Sequence, residues 1–258
     1  MTHPWFEGVE RPRVLAHRGL VRADTGEDAI AENSFAAVAE AHAVGAHYVE
    51  SDCHLTKDGV VVLFHDADLS RVTGDSRRVD EVTLRQLDDL MAGHGGVITL
   101  AQALDAFPDV RFNLDVKAAA AAEEVGRLIA PHGARVLLTS FSDERRRTAL
   151  RAAETAGGGI RPATSAGTSI VTRFVAAVNL RSRRAARRVL SQVDALQVPE
   201  RQQRVRIVTP RLLDYAHEAG VEVHVWTIND PGDMARLVAM GVDGIVTDRA
   251  DVALATLH

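Results

Sequence analysis

Arg111-Phe112-Asn113-Leu114-Asp115-Val116-Lys117 runs straight into an alanine-rich segment ending at Ala130, and this junction sets the fold class. From Arg111 to Val116 polar and apolar residues alternate, the pattern of a strand, whereas Ala119 to Ala130 carries its apolar residues at helical spacing. A strand passing at once into a helix is half of a β-α-β unit. The unit recurs on both sides. Towards the N-terminus lie strands Val14 to Ala16 and His47 to Asp52; beyond lie Val136 to Thr139, Arg161 to Thr164, Ala195 to Val198, Val221 to Thr227 and Gly244 to Val246. Helices are expected over Glu32 to Val44, Leu100 to Phe107, Asp143 to Thr155, Pro210 to Ala219 and Pro231 to Met240. Eight such strands in 258 residues predict a single-domain α/β fold over 1–258, a TIM-type (β/α)8 barrel, which commonly takes about 250 residues.

A ninth apolar run, Val60 to His65, follows the second strand after only Lys57-Asp58-Gly59. Three residues leave no room for a parallel crossover, so the run is read as the antiparallel arm of a β-hairpin. A turn centred between Lys57 and Asp58 places Glu50 opposite His65, about 5 Å away. The stretch 67–96 then reads as a small insertion after strand 2, with one helix around Thr83 to Met91.

Composition narrows the function. Hydrophobic residues make up 46% and charged residues 25%, enough for a packed core and unlike a disordered chain. A net charge of −5 lacks the broad basic footprint of non-specific nucleic-acid binding, so no nucleic-acid partner is expected. One cysteine, Cys53, excludes an intrachain disulfide framework. Residues 1–10 show neither a basic n-region nor an apolar h-region, and no window reaches the roughly 18 apolar residues of a membrane span. The expectation is a cytoplasmic chain without stable membrane insertion. Ile170, Val171, Phe174, Val175 and Val178 precede Arg181, Arg183, Arg184, Arg187 and Arg188, which allows peripheral contact with an anionic membrane. A barrel helix with a solvated basic end is preferred. No sequence feature sets an oligomeric state.

Barrel enzymes carry their chemistry at the C-terminal ends of strands, and titratable residues collect there. The first strand ends in His17-Arg18-Gly19, the second carries Glu50 and Asp52, the third Asp115 and Lys117, and the hairpin ends in His65-Asp66. Period 2 turns Glu50, Asp52 and Asp115 to one side. Together they would repel without a cation between them, and oxygen-only ligation suits Mg²⁺, Ca²⁺ or Mn²⁺ better than zinc. The competing structural reading has them in salt bridges with Arg18, Arg111 and Lys117. His17 and His65 can supply a general base and a general acid, Arg18 and Lys117 can bind phosphate oxygens, and Gly19 allows close backbone approach to an anion. Lys117 is one of only two lysines, with Lys57, among thirty basic residues, which marks it as wanted for its point charge. His54 and His224 lie within strands without an assigned role.

In order along the chain, the motifs are His17-Arg18-Gly19, Glu32-Asn33-Ser34, Gly45-Ala46, Glu50-Ser51-Asp52, Thr56-Lys57-Asp58-Gly59 and His65-Asp66. Leu69, Arg71 and Thr73 follow, then Asn113 to Lys117, Ser140-Phe141, Trp226 to Asn229 and Gly244 to Asp248. This set resembles the glycerophosphodiester phosphodiesterase family, metal-dependent barrels. The resemblance implies that Glu50, Asp52 and Asp115 hold the cation, that His17 and His65 do acid–base work, and that Arg18, Glu32 and Lys117 line the phosphate pocket. Asp115 stands where the family usually has glutamate, one methylene shorter. Ala31 and Ser34 replace a common proline and threonine, and Ser34 is a candidate helix cap. The loop from Leu20 to Ala31, with Asp24, Glu27 and Asp28, is longer than usual and is a candidate lid. Trp226 and Phe141 are read as an apolar wall against the substrate. The expected reaction is hydrolysis of a small-molecule glycerophosphodiester to sn-glycerol 3-phosphate and an alcohol. The alternatives are lysophospholipase D-like hydrolysis of lysophospholipids and a non-catalytic phosphodiester-binding barrel.

Overall fold

Alternation along parallel strands decides what points into the barrel and what points out. In a computed structural model the described residues are 3–22 and 30–258. Along the chain come β1 (Arg13–His17), α1 (Phe35–Ala43), β2 (Tyr48–Leu55), β3 (Val61–Leu63), α2 (Ser70–Thr73), α3 (Leu84–Met91), α4 (Leu100–Ala106) and β4 (Arg111–Val116). Next are α5 (Ala122–Ile129), β5 (Val136–Thr139), α6 (Asp143–Ala156), β6 (Ala163–Thr164), α7 (Thr168–Asn179), α8 (Arg183–Leu190) and β7 (Ala195–Pro199). The chain closes with β8 (Arg201–Gln202), β9 (Val205–Arg206), α9 (Pro210–Glu218), β10 (Glu222–Trp226), α10 (Pro231–Ala239), β11 (Gly244–Thr247) and α11 (Ala250–Leu257).

The parallel strands follow the order β6-β5-β4-β2-β1-β11-β10-β7. Hydrogen bonds from Asp194 N to Thr164 O at 2.8 Å and from Ala166 N to Ala195 O at 3.1 Å join the last strand to the first and close the barrel. The eight parallel strands and the hairpin match the expected TIM-type architecture. Outward residues such as Val14, Val49, Phe112, Leu114, Val223 and Ile245 are buried against the helices in the main core.

The barrel interior has three levels. At the bottom, Arg13 pairs with Glu222 through Nε at 2.7 Å and Nη2 at 2.9 Å, with the His224 ring 3.2 Å from Glu222 and the Tyr48 hydroxyl 2.6 Å from Arg13. In the middle, Leu15, Leu137, Ala163, Ala195 and Val246 pack with Trp5 and Phe6, which a short 3-10 turn brings beneath the barrel. At the top sit His17, Glu50, Asp52 and Asp115. His224 therefore belongs to the buried floor of the fold.

Several expected boundaries move. The strand expected over Arg161 to Thr164 pairs only at Ala163–Thr164, and the hairpin arm expected over Val60 to His65 pairs only at Val61–Leu63. The arm's register is also one residue off the expected one. Cys53 lies opposite Leu63 and His54 opposite Val62, so Glu50 has no partner on β3. Gly59 is the reason: at φ +80° it adds a left-handed residue to the turn, its N–H bonded to Thr56 O at 3.0 Å. The helix expected from Glu32 starts at Phe35, because Ser34 accepts from Ala37 N at 3.1 Å and caps it. The insertion carries α2 and α3, and it packs with the hairpin arm in a subsidiary core of Val62, Phe64, Leu69, Val79, Val82, Leu87 and Met91. The proposed lid residues Asp24, Glu27 and Asp28 lie outside the described residues.

The arginine-rich region forms two helices broken at Leu180–Ser182, with Arg181 at φ +54°. Ile170, Phe174 and Val178 are buried in the main core and Val171 and Val175 pack against it. The apolar stretch thus faces inward, as the barrel-helix reading expects. No described helix is long and apolar enough to cross a membrane.

Burial alone would raise Glu222, but hydrogen bonds to Arg13 and His224 outweigh it and pull its pKa down to about 2. A carboxylate lowered from 4.5 contributes stability above its unfolded pKa and loses it as pH falls through the folded one. The pH-dependent part is about 3 kcal/mol at pH 7 and about 1 kcal/mol at pH 3. Urea unfolding at both pH values should show wild type losing about 2 kcal/mol relative to Glu222→Gln; parallel losses in the two proteins contradict the assignment.

Candidate active site

Strand register assembles the site. On the parallel pair β1 and β2, His17 lies beside Glu50; on β2 and β4, Asp52 lies beside Asp115 and Glu50 beside Asn113. A cleft of about 570 Å³ over these strand ends is lined by His17, Arg18, Glu50, Asp52, His65, Asp115, Lys117, Phe141 and Trp226 among others. Nine of the ten candidate residues therefore share one cleft, and the tenth, Glu32, reaches it through Arg18. His65 arrives from the end of the hairpin arm and not as the cross-strand partner of Glu50. Arg111 lies at the opposite end of β4, bonded to Glu7 O at 2.6 Å, and takes no part.

Glu50, Asp52 and Asp115 are all buried. Lys117 Nζ lies 3.0 Å from Asp52 Oδ1 and 2.8 Å from Asp115 Oδ2; Arg18 Nε lies 3.2 Å from Asp52 Oδ2. The salt-bridge reading is correct for these pairs, yet two cations do not compensate three carboxylates. Burial, and then the charge of Asp52, push Glu50 up to about 8. Burial also raises Asp115 despite Lys117, while Lys117 is driven up to about 12 because the attraction of Asp52 and Asp115 exceeds the cost of burial.

Each histidine is held through Nδ1 by a carboxylate. His17 Nδ1 is 2.6 Å from Asp248 Oδ1, and His65 Nδ1 is 2.7 Å from Asp66 Oδ1. Asp248 is itself fixed by Asn229 Nδ2 at 2.7 Å, and Asp66 by Arg71 Nε at 2.6 Å. Arg71 continues to Glu32, and Glu32 to Arg18 at 2.7 Å. Such bonds fix the ring orientation and leave Nε2 for the cleft; His17 Nε2 is 3.9 Å from Glu50 Oε2. Burial disfavours the His17 imidazolium, but Asp248 and Glu50 outweigh it and the pKa is raised.

The backbone bends to make these contacts. Arg18 and Asn33 adopt left-handed conformations, φ 57° and 59°, which side-chain-bearing residues seldom hold without surrounding restraint. Asn33 is buried, donates from Nδ2 to Asp52 at 3.0 Å and accepts from Ser51 Oγ at 2.5 Å. Gly19, at φ +87°, has a packing role as well. A Cβ there would stand 2.6 Å from the Ala37 carbonyl, so the glycine is required for β1's loop to pack against α1. His54 is spoken for as well, with Nε2 3.2 Å from His65 O.

Asp66 and Asp248 hold the histidines, and Arg71 and Asn229 hold those aspartates; of the four only Asp66 stood among the strand-end residues, and none was given a role from sequence. All four stand in the quoted motifs, but only the folded geometry shows what each touches. Among the described residues no three His, Cys, Asp or Glu side chains already form a metal cage. The donor set nevertheless fits a hard divalent cation: three carboxylates, all oxygen, with Asp115 Oδ1 buried and lacking a hydrogen-bond partner. A larger hollow of about 850 Å³ beside α6 contains no acid–base pair; its Asp194 is tied to Arg161 at 2.6 Å.

A (β/α)8 barrel whose strand ends gather two carboxylate-held histidines, a carboxylate cluster and two basic side chains has the groups for acid–base hydrolysis of an anionic substrate. The pattern of the Glycerophosphoryl diester phosphodiesterase family matches residues 17–252. This chain belongs to that family. It is 40% identical over 241 residues to the "Probable glycerophosphodiester phosphodiesterase 2" of Mycobacterium tuberculosis, covering 92% of this chain and 88% of that protein. Its fold matches the glycerophosphodiester phosphodiesterase of Thermotoga maritima at TM-score 0.70 and 24% identity, covering 96% of this chain and 99% of that one. It also matches an Oleispira antarctica phosphodiesterase in complex with the product sn-glycerol-3-phosphate, at TM-score 0.71 and 22% identity, covering 95% and 96%.

Replacing Asp248 by Asn removes the charge that favours the His17 imidazolium. NMR titration of the histidine ring signals should show the His17 pKa moving down; an unchanged or raised value shows that Asp248 does not control that ring.

Proposed function

We propose that this chain hydrolyses glycerophosphodiesters to sn-glycerol 3-phosphate and an alcohol, assisted by a divalent cation. The observation that carries this reading is the pair of histidines lining one cleft, each fixed through Nδ1 by an aspartate, which leaves Nε2 for proton transfer. One Nε2 takes the proton of the attacking hydroxyl and the other returns a proton to the departing alcohol, the two transfers that displacement at phosphorus requires. Arg18 and Lys117 donate hydrogen bonds to the non-bridging phosphate oxygens, where charge-assisted bonds are strongest. Phe141 and Trp226, whose rings meet edge to face at 6.0 Å, shield the reacting centre from water.

Glu50, Asp52 and Asp115 are the residues that would hold the cation. When all three are ionised, Arg18 and Lys117 leave them one negative charge in excess, a floor that repels a phosphodiester monoanion. Mg²⁺, Ca²⁺ or Mn²⁺ supplies the missing positive charge and polarises phosphorus. The identity of the attacking group, the glycerol 2-hydroxyl or water, does not alter these assignments.

The lysophospholipase D-like alternative rested on the apolar stretch from Ile170 to Val178, and that stretch is spent on the core. Relatives described as lysophospholipase D, such as the rat protein at 31% identity, match over only 41% of this chain.

Incubation with glycerophosphoglycerol and Mg²⁺ should release glycerol 3-phosphate, and EDTA should abolish the release. His17→Ala and His65→Ala should each lower kcat by about 10²- to 10⁴-fold, the range for loss of an acid–base group. Release that persists in EDTA rejects the cation, and variants within threefold of wild type reject the acid–base pair.

A further inference from the structure

We infer that the rim of the cleft selects substrates whose departing alcohol is rich in hydroxyl groups and carries no positive charge, of the inositol or glycerol type, against choline and ethanolamine. This rests on the hydrolysis proposed above and concerns the side of the cleft facing away from the carboxylates. In the closed ring of eight strands, β7 stands four places from β2 and β6 four places from β1. The segments that follow β6 and β7 therefore rise across the mouth from Glu50, Asp52 and His17. They are the N-terminus of α7 and the small hairpin β8–β9, and both line the cleft through Thr168, Arg201, Gln202 and Gln203. Phosphorus must lie near the buried strand ends, so the alcohol that reaches the open rim meets these side chains.

Their chemistry is one-sided. The acidic residues lining the cleft, Glu50, Asp52 and Asp115, all lie on β2 and β4. The rim offers the hydroxyls of Thr168 and Thr172 and the amides of Gln202 and Gln203 beside the apolar Val171, together with the guanidinium of Arg201, which has no ion-pair partner among the described residues. Its acidic neighbour Glu200 is engaged by Arg236 at 2.8 Å and by Arg206 at 3.5 Å, and Ile207 N bonds Glu200 O at 2.9 Å. These contacts anchor the base of the hairpin and neutralise the carboxylate that would otherwise have answered Arg201. An alcohol with hydroxyls finds donors and acceptors here, and a negatively charged substituent would be favoured further.

An ammonium group finds no carboxylate at the rim. Recognition of choline relies on several open aromatic faces around the cation, and of the two aromatic side chains Phe141 and Trp226 in the cleft, Phe141 already carries a cation on one face. Lys117 Nζ lies 5.4 Å from the centroid of Phe141, which puts a cation over that ring, and the Phe141–Trp226 contact is edge to face at 75°. A quaternary amine at the rim would approach Arg201, which no described carboxylate pairs with, whereas the Asp52 and Asp115 carboxylates of the cleft floor are already engaged by Lys117 and Arg18.

The test compares kcat/KM for glycerophosphoinositol, glycerophosphoglycerol and glycerophosphocholine with the full chain and Mg²⁺, in wild type and in Arg201→Glu and Arg201→Gln. Ratios between substrates in one preparation cancel differences in active fraction, so a merely structural effect of the substitution leaves them unmoved. Wild type should favour the two polyol diesters over the choline diester by about tenfold, the scale of one like-charge contact near a protein surface. Arg201→Glu should reduce or invert that preference by about tenfold, and Arg201→Gln should fall between. A wild type that prefers the choline diester, or ratios unchanged in Arg201→Glu, overturns the inference while leaving the hydrolysis intact. No glycerol 3-phosphate from any of the three substrates overturns the reaction itself, and this inference with it.

Discussion

Glu50, Asp52 and Asp115 are buried side by side on adjacent strands, and a cluster of that kind cannot hold its charge without compensation. Much of the upper barrel answers this demand. Lys117 bridges two of the carboxylates, Arg18 reaches the third face of Asp52, and Asn33 turns into a left-handed conformation to donate to Asp52 from below. The compensation stops short: Glu50 remains raised to about 8 and one oxygen of Asp115 has no partner. A fold built only for stability would have filled these positions with apolar residues, which serve as well or better in a dry interior. The deficit is one that a bound divalent cation would fill.

The same ions organise the acid–base groups. From Lys117 the sequence of contacts passes through Asp52, Arg18, Glu32, Arg71 and Asp66 to the ring of His65, alternating sign at every step. His17 is reached from the other side, through Asn229 and Asp248. Lys117, Arg18 and the ring of His65 are thus joined in one frame of ion pairs, while the ring of His17 is held by its own contacts through Asp248 and Asn229. Below the frame, apolar residues separate it from the Arg13–Glu222 pair at the foot of the barrel, so stability chemistry and substrate chemistry occupy opposite ends of the same strands.

Much of this was legible in the residues alone, for physical reasons that also explain the failures. Strands that end in charged residues after apolar alternation announce both their own direction and the side that carries the site, which is why His17, Glu50, Asp52, Asp115 and Lys117 could be placed together. The hairpin arm was legible as an arm, but its register was not: Gly59 inserts one left-handed residue, and such an insertion shifts every pair along the ladder. Helix α11 and the hairpin β8–β9 went unseen because the first follows its strand without a strong amphipathic signal and the second is four exposed, polar or short-branched residues around a tight turn. Asp66, Arg71 and Asp248 gain their meaning only from which ring or carboxylate lies within hydrogen-bond reach, and spacing in sequence does not encode that.

The division between strand ends and rim bears on how such an enzyme keeps its reaction while changing its substrate. At the buried end of the charged frame, replacing Lys117 or Arg18 leaves the Asp52 carboxylate less compensated, and breaking such a buried pair costs several kcal/mol. Arg201, Gln202 and Gln203 are exposed, and the hairpin that carries them is anchored at its base through Glu200. Substitution at its tip therefore disturbs no buried charge and no barrel hydrogen bond. Chemistry that must stay constant sits where change is expensive, and recognition of the alcohol sits on a four-residue ladder where change is nearly free of structural consequence. The shorter Asp115 belongs to the first group: one of its oxygens is buried without a partner and the other is bonded to Lys117, so a single carboxylate joins the proposed cation-binding and phosphate-binding groups.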